Sequence, residues 1–153
     1  MEKICIKIVK KLEKQNKTIA FMESCTGGFL TNSITNIPGV SNILKVSLVT
    51  YSSEYKLKFG VDKNVLDNYT VYSNQTSMEM ARNVSKFANS DIGVGITGEL
   101  GNTINKKPKV YYTIYFAENN KYINKIIEVT GNERKEMKKK VAEKVLEDLL
   151  ESI

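Results

Sequence analysis

The feature that most limits what this chain can fold into is the alternation of helical and strand-length apolar patterns along it. Residues 2–15 place apolar side chains on one face at helical spacing, with lysines elsewhere. Short apolar runs of strand length follow at 18–22 and 45–51, and a segment with helical spacing at 27–36 separates them. Helices that alternate with strands in this way are typical of a layered α/β domain, with helices on both faces of the sheet.

The middle of the chain continues the same alternation. Short helices are predicted over 52–59 and 62–68, and the first of them stops at a glycine. Ser73 can cap a longer helix over 74–89, which leads into a strand at 91–97 that is rich in Gly and β-branched residues.

The last third of the chain predicts a hairpin and a closing helix. Strands at 110–117 and 122–130 are separated by a short polar break, so they are expected to form one antiparallel pair in a mixed sheet. The final helix, about residues 132–152, carries apolar residues at i+4 spacing, and Thr130 and Glu133 can form a capping box at its start.

The amino-acid composition restricts the chemistry more than it restricts the fold. The 153 residues contain no linker or repeat, so one domain over residues 1–153 is expected. The chain contains no histidine, which excludes a Ser-His-Asp triad, a Cys-His pair and a His-ligated zinc site. If the chain is an enzyme, a Lys, Tyr, Cys or carboxylate group must move the proton.

The cysteines and the net charge indicate a compartment and a class of partner. Two cysteines without a CxxC motif predict a reduced, cytoplasmic protein, and no apolar run approaches the roughly 20 residues of a membrane span. The net charge of +6 can attract anions such as nucleotides. No nucleic-acid motif accompanies this charge, so nucleic acid is not an expected partner. No motif for a metal or a cofactor is present, and none is expected.

Residues 93–98 match the spacing GxGxxG, but we do not interpret them as a dinucleotide-binding fingerprint. That fingerprint requires a helix that opens at the third glycine, whereas a polar loop containing Pro108 follows here. The glycines are instead expected to lie in a strand at which another backbone or a ligand approaches closely.

The segment Glu23-Ser24-Cys25-Thr26-Gly27-Gly28 lies where a buried strand is predicted to end and a helix to begin. Backbone amides in the first turn of a helix can bind an anion or an oxyanion, and a serine beside them is a candidate nucleophile. Cys25 is a competing nucleophile, because a helix N-terminus lowers the pKa of a thiol, but it could equally be a small buried side chain. The competing structural interpretation is an ordinary helix cap followed by a Gly-Gly turn.

A serine nucleophile needs a base, and Tyr51 and Lys56 follow the next predicted strand. Carboxyl ends of strands in a layered α/β domain gather at one edge, which could bring both side chains near Ser24. A lysine desolvated in a cleft has a lowered pKa and could act as the base. The alternative is a surface lysine on a short helix.

These two segments together resemble the C-terminal domain of the CinA family. The first is Glu-Ser-Cys-Thr-Gly-Gly after a strand, and the second is Val-Thr-Tyr-Ser-Ser-Glu-Tyr-Lys at 49–56. Further pieces resemble the family in the same order along almost the whole chain, at residues 35–41, 59–61 with Leu66, 91–98, 107–108 and 131–134.

The resemblance implies a three-layer α/β/α sandwich with a mixed, mainly parallel sheet. It also implies hydrolysis of the carboxamide of nicotinamide mononucleotide through an acyl-enzyme, with Ser24 as nucleophile and Lys56 and Tyr51 as proton-transfer partners. The expected ligand is a nucleotide-like small molecule, and a homodimer would agree with the family. By the same resemblance, the substrate-binding residues are Glu23, Cys25, Thr26, Gly27, Gly28, Thr97, Gly98 and Arg134.

This chain departs from the family pattern in residues 98–111. A Gly-Pro-Gly run of the family is absent there, and Val110 and Tyr111 stand where the family has Gly and Thr, so they could fill part of the pocket. A non-catalytic binding module of the same fold is therefore the second hypothesis. The third is nucleic-acid binding through the lysine-rich segments 1–17 and 102–125.

Overall fold

The computed structural model describes residues 1–101, 107–131 and 133–153, and these contain six α-helices and five strands. One 3₁₀ turn, Val40–Asn42, precedes the second strand. The elements in chain order are α1 (Glu2–Lys14), β1 (Ile19–Glu23), α2 (Phe29–Thr35), β2 (Leu44–Val49), α3 (Ser53–Lys58), α4 (Lys63–Tyr69), α5 (Asn74–Ala88), β3 (Ile92–Gly98), β4 (Lys109–Phe116), β5 (Lys121–Glu128) and α6 (Arg134–Ser152).

The five strands form one mixed sheet in the order β2-β1-β3-β4-β5. The strands β2, β1 and β3 are parallel, whereas β4 is antiparallel to both β3 and β5. Helices α1, α2 and α6 contact one another, and α5 packs on β1, β3 and β4. The predicted α/β fold with a mixed sheet is confirmed. The predicted antiparallel hairpin of β4 and β5 is confirmed, and β3 with β4 forms a second antiparallel pair that the sequence did not predict.

Strand β1, which lies between β2 and β3 in the sheet, separates two apolar cores. Ile19 and Phe21 belong to the larger core, which includes residues of α1, α2 and α6. Ala20 and Met22 belong to a smaller core with residues of α5. Since side chains of a strand alternate between its faces, a strand covered on both faces has a nearly continuous apolar run. All five residues of β1 are accordingly buried.

The glycines of the GxGxxG segment allow α5 to approach β3 closely. A Cβ atom at Gly93 would overlap the carbonyl oxygen of Ala81, and one at Gly95 would overlap that of Ser77. Both contacts are with the backbone of a helix, which cannot move aside as a side chain could. The prediction that these glycines serve the close approach of another backbone is confirmed.

The helix ends agree only partly with the predicted caps. Ser73 caps α5 as predicted, and its Oγ atom accepts a hydrogen bond from the Thr76 amide at 3.1 Å. The capping box predicted at the start of α6 does not form. Because the helix begins at Arg134, Glu133 is itself the N-cap, and its side chain makes no capping hydrogen bond. Asn132, where that helix was predicted to begin, lies outside the described residues. Within the described part of the chain, no helix combines the length and apolar character that a membrane crossing requires.

Candidate active site

A cleft of about 540 Å³ opens at the carboxyl edge of the parallel strands, where β1, β2 and β3 end. Residues that follow each of these strands contribute to its wall, together with the first residue of α6. Seven of the residues expected in the site line the cleft: Ser24, Cys25, Tyr51, Lys56, Thr97, Gly98 and Arg134. The other four, Glu23, Thr26, Gly27 and Gly28, do not line it.

The central contact of the cleft joins Lys56 and Ser24. Lys56 lies on the short helix α3, and its side chain is only 2% exposed. Its Nζ atom lies 2.9 Å from the Ser24 Oγ atom and donates a hydrogen bond to the Thr50 carbonyl oxygen at 2.7 Å. The interpretation of Lys56 as a surface lysine is therefore wrong.

Lys56 occupies a position that disfavours its charged form. Among the described residues, no carboxylate lies within ion-pair distance of its ammonium group. Burial lowers the pKa of Lys56, against a smaller opposing effect of Cys25. A neutral amine keeps two N–H groups and one lone pair. One N–H group can bond Thr50, and the lone pair can accept the hydroxyl proton of Ser24.

Glu23 stabilises the start of α2 from a fully buried position. Its carboxylate accepts five hydrogen bonds, from the backbone amides and side-chain hydroxyls of the segment that follows it. The donors are the amides of Gly28, Leu30 and Thr31 and the hydroxyls of Thr26 and Thr31. These helix amides are therefore already paired, and they are not free to bind a substrate oxyanion as the sequence suggested.

The turn between Ser24 and α2 leaves other amides free. Gly28 precedes the helix with φ of +88°, a left-handed conformation that favours glycine. Within the described residues, the backbone amides of Cys25 and Thr26 have no oxygen acceptor, and both contact the Cys25 sulfur. They directly follow the candidate nucleophile, so they are the nearest candidates for an oxyanion site.

Cys25 has the properties of a buried side chain rather than of a nucleophile. It is 4% exposed, and burial raises its pKa to about 12. The expectation that the helix N-terminus would lower this pKa was wrong, because desolvation of the thiolate outweighs the hydrogen bonds from the Cys25 and Thr26 amides.

Cys25→Ala is expected to leave any Ser24-dependent hydrolysis close to the wild-type rate. At pH 7 a thiol with this pKa is ionised to only about one part in 10⁵. Ammonia release by the variant, and by the wild-type protein with and without prior iodoacetamide treatment, measures this. A loss of rate comparable with that of a Ser24 variant would show that the thiol is the nucleophile.

Tyr51 and Arg134 meet at the mouth of the cleft. The Tyr51 ring is 62% exposed, and its hydroxyl accepts a hydrogen bond from Arg134 Nη2 at 3.3 Å. The same guanidinium donates to the Leu100 carbonyl oxygen after β3. Among the described residues, Ser24 Oγ bonds Lys56 and has no hydrogen bond to Tyr51. Arg134 thus joins three walls of the cleft, and Tyr51 stands at its entrance.

Thr97 positions a wall of the cleft that is formed by the segment before α5 and by the loop after β3. Its hydroxyl donates a hydrogen bond to the Val71 carbonyl oxygen at 2.6 Å, which holds the segment before α5 against the end of β3. Residues of that segment and of the loop after β3 complete the lining. Three of these residues fall within the segment 98–111 that departs from the family pattern, and the others follow strand or helix ends. These lining residues are Val71, Tyr72, Glu99, Leu100 and Gly101, and Ser52 and Ser53 also line the cleft.

Comparison with known families identifies the family of this chain. A model of the CinA C-terminal domain matches residues 1–153. This chain belongs to the CinA C-terminal domain family.

Curated relatives of this CinA domain are longer proteins. A protein of Caldanaerobacter subterraneus subsp. tengcongensis, whose name describes it as competence-damage inducible, is 40% identical over 136 residues, which cover 86% of this chain. A CinA-like protein of Thermosipho melanesiensis is 37% identical over 130 residues, which cover 82% of this chain. The matched part spans 32% of the length of each of these relatives.

Solved structures of the CinA superfamily share the fold. The competence/damage inducible protein CihA from Agrobacterium tumefaciens matches with a TM-score of 0.90 at 23% identity, covering 97% of this chain and 93% of that one. A CinA superfamily protein from Escherichia coli matches with a TM-score of 0.91 at 20% identity, covering 99% and 90%. At these identities the likeness concerns the fold.

The departures of this CinA domain from the family pattern lie partly in the cleft, at residues 98–101, and partly beside it, at Val110 and Tyr111. Val110 is fully buried in the larger core, and Tyr111 faces a neighbouring cavity. The expectation that this pair fills part of the pocket was therefore wrong, because neither side chain lines the cleft that contains Ser24. Residues 102–106 of the altered loop lie outside the described residues.

Proposed function

We propose that this CinA domain hydrolyses the carboxamide of nicotinamide mononucleotide to the carboxylate and releases ammonia, with Ser24 as nucleophile. The observation that carries the proposal is the contact of 2.9 Å between Lys56 Nζ and Ser24 Oγ. A buried lysine that has no carboxylate partner in the described part of the chain is poised to accept the serine proton. The family resemblance supplies the substrate class.

The first half of the reaction forms an acyl-enzyme. Lys56, as the neutral amine, accepts the hydroxyl proton of Ser24 while the Oγ atom bonds the carboxamide carbon. The amides of Cys25 and Thr26 are proposed to donate hydrogen bonds to the resulting oxyanion. The C–N bond then breaks, and the leaving nitrogen takes up the proton held by Lys56 and departs as ammonia. In this proposal the Tyr51 hydroxyl, held by Arg134, relays that proton.

The second half of the reaction releases the product. Water attacks the acyl carbon, and Lys56 accepts one proton from it. The ester bond to Ser24 Oγ breaks, and the serine recovers a proton from Lys56. The net reaction consumes one water for each ammonia and leaves the enzyme unchanged. The direct test is a stoichiometric assay of ammonia and of the nucleotide carboxylate, which are expected in a one-to-one ratio.

The value of kcat/KM is expected to rise with pH across the titration of Lys56. Its pKa is lowered below the ordinary value of 10.5, and only the deprotonated amine can act as base. The increase should therefore level off above the folded-state pKa, which lies below 10.5. A pH–rate profile from about pH 6 to about pH 10 measures this.

Lys56→Arg is the matched variant for this profile, because a guanidinium stays protonated throughout the range. It should be inactive at every pH. A wild-type profile that is flat, or that falls with increasing pH, would contradict the assignment of Lys56 as base.

A binding module without turnover is the second candidate. The observation that favours it is the position of Tyr51, whose hydroxyl contacts Arg134 and not Ser24. Calorimetry with nicotinamide mononucleotide distinguishes the two candidates. Binding without ammonia release would select the module, and release would select the hydrolase.

A further inference from the structure

A second cavity of about 780 Å³ adjoins the catalytic cleft on the side of β4 and β5. The two cavities share Val71, Tyr72 and Glu99 in their walls. We refer to this cavity as the second chamber. Besides the shared residues and Thr70, its lining consists of Lys107, Lys109, Tyr111 and Glu128.

The sheet register relates the second chamber to the catalytic residues. Tyr111 of β4 pairs directly opposite Thr97 of β3, and Thr97 lines the catalytic cleft. Opposite residues of an antiparallel pair project from the same face of the sheet. Tyr111 therefore stands beside Thr97, one strand further from the parallel strand that leads into Ser24. The residues that the two cavities share, Val71, Tyr72 and Glu99, mark where a ligand bound at Ser24 would extend into the second chamber.

Two tyrosines give the second chamber a surface for a planar ring. Tyr72 is 46% exposed at the boundary between the cavities, and Tyr111 is half-buried in the sheet face. Aromatic side chains with an accessible face stack on nucleobases, and such stacking tolerates any base.

The charges of the second chamber are balanced. Lys107 lies 3.6 Å from Glu128, and Lys109 is paired directly opposite the same glutamate. Glu99 provides a second carboxylate in the wall. A free phosphate ion would meet these carboxylates as well as the lysines. A nucleotide matches the set better, because its phosphate suits lysine and its ribose hydroxyls suit a carboxylate.

We infer that the second chamber binds the second nucleotide arm of a dinucleotide whose nicotinamide carboxamide lies at Ser24. This inference rests on the proposed function for the carboxamide end, and it extends the substrate class from the mononucleotide to nicotinamide dinucleotides. Tyr111, where the family has threonine, is the residue of this chain that sets the preference.

The test compares the affinity of two nucleotides for the Ser24→Ala protein, which holds substrates without turning them over. Calorimetry with nicotinamide adenine dinucleotide and with nicotinamide mononucleotide should give a dissociation constant about tenfold lower for the dinucleotide. Tyr111→Thr in the same background should remove this difference and leave the affinity for the mononucleotide unchanged. Tyr69→Thr, at an exposed tyrosine of α4, is the matched control and should change neither affinity.

Equal affinity for the two nucleotides, or an equal loss of both in Tyr111→Thr, would overturn the inference. Ammonia release by the wild-type protein is measured separately with each nucleotide. If neither nucleotide is hydrolysed but the predicted difference in affinity is found, the proposed hydrolysis is contradicted and the binding of a dinucleotide by the second chamber is supported. If the mononucleotide is hydrolysed and the dinucleotide binds no more tightly, the binding of a dinucleotide by the second chamber is contradicted and the proposed hydrolysis is supported.

Discussion

Ser24→Ala is expected to reduce the rate of ammonia release from nicotinamide mononucleotide by about 10³-fold or more. The variant lacks the oxygen atom that would form the acyl-enzyme, and no other hydroxyl in the described structure contacts Lys56 Nζ. The cleft retains the Cys25 and Thr26 amides and the Arg134 guanidinium, so the affinity for the nucleotide should change little. The measurement is kcat and KM by continuous ammonia detection.

Lys56→Met should cause a loss of similar size, because the serine then has no base. The double variant should be no slower than either single variant, since the two residues act as one unit.

The Lys56→Met substitution also removes a buried ionisable group. The lowered pKa of Lys56 means that its burial opposes folding most strongly at pH values below its folded-state pKa, and progressively less as the pH rises toward the unfolded value. The melting temperature of Lys56→Met at neutral pH should therefore be equal to or above that of the wild type.

Two surface substitutions serve as controls for this pair. Ser41→Ala removes an exposed hydroxyl, and Lys45→Met removes an exposed lysine of β2. Both should retain the wild-type rate. Ammonia release by Ser24→Ala at the wild-type rate would show that Ser24 is not the nucleophile. Loss of activity in Lys56→Met together with a lower melting temperature would point to a structural role for the lysine.

Gly95→Ala is expected to destabilise the fold by about 3 kcal/mol, at the upper end of the range for overpacking in a core. The new Cβ atom would overlap the Ser77 carbonyl oxygen and lie 2.5 Å from the Ala81 amide nitrogen and 2.8 Å from Met80 Cβ. Both backbone atoms belong to α5, so the whole helix would have to move away from β3. In a domain of this size the melting temperature should fall by about 10 °C, measured by circular dichroism.

Gly131→Ala is the matched control for the glycine substitution. A Cβ atom there would lie 3.2 Å from Met137 Cγ, a flexible side chain that can adjust. Its effect should stay within about 1 kcal/mol. Equal stability changes at the two positions would show that the close approach of α5 to β3 does not limit the side chain at Gly95.

The apolar patterns predicted the architecture because they reflect the burial of each element. The continuous apolar run of β1 identified a strand covered on both faces, and the glycines of β3 identified a strand approached by another backbone. The direction of β4 could not be predicted in the same way. The strand direction depends on where the loop after Gly98 returns to the sheet, and no local pattern in the sequence encodes that position.

The site was predicted in outline and corrected in its electrostatics. The order of Ser24, Tyr51 and Lys56 after successive strands indicated that they gather at one edge, and all three line the cleft. The sequence did not predict that Glu23 accepts hydrogen bonds from the first amides of α2. A glutamate before a Gly-Gly turn does not indicate which amides its carboxylate will contact. The pKa of Cys25 was predicted in the wrong direction, since the sequence shows the nearby helix terminus but not the burial that outweighs it.

The sequence by itself determined the order of helices and strands, the position of a serine at a strand end and the absence of any imidazole. These follow from residue types and their spacing, which act over a few positions of the chain. Only the tertiary structure decided that Lys56 is buried against Ser24, that Glu23 pairs the helix amides, and that Tyr111 faces the second chamber. Hydrogen bonding and desolvation depend on groups that the fold brings together from distant positions, and a one-dimensional pattern does not contain those distances.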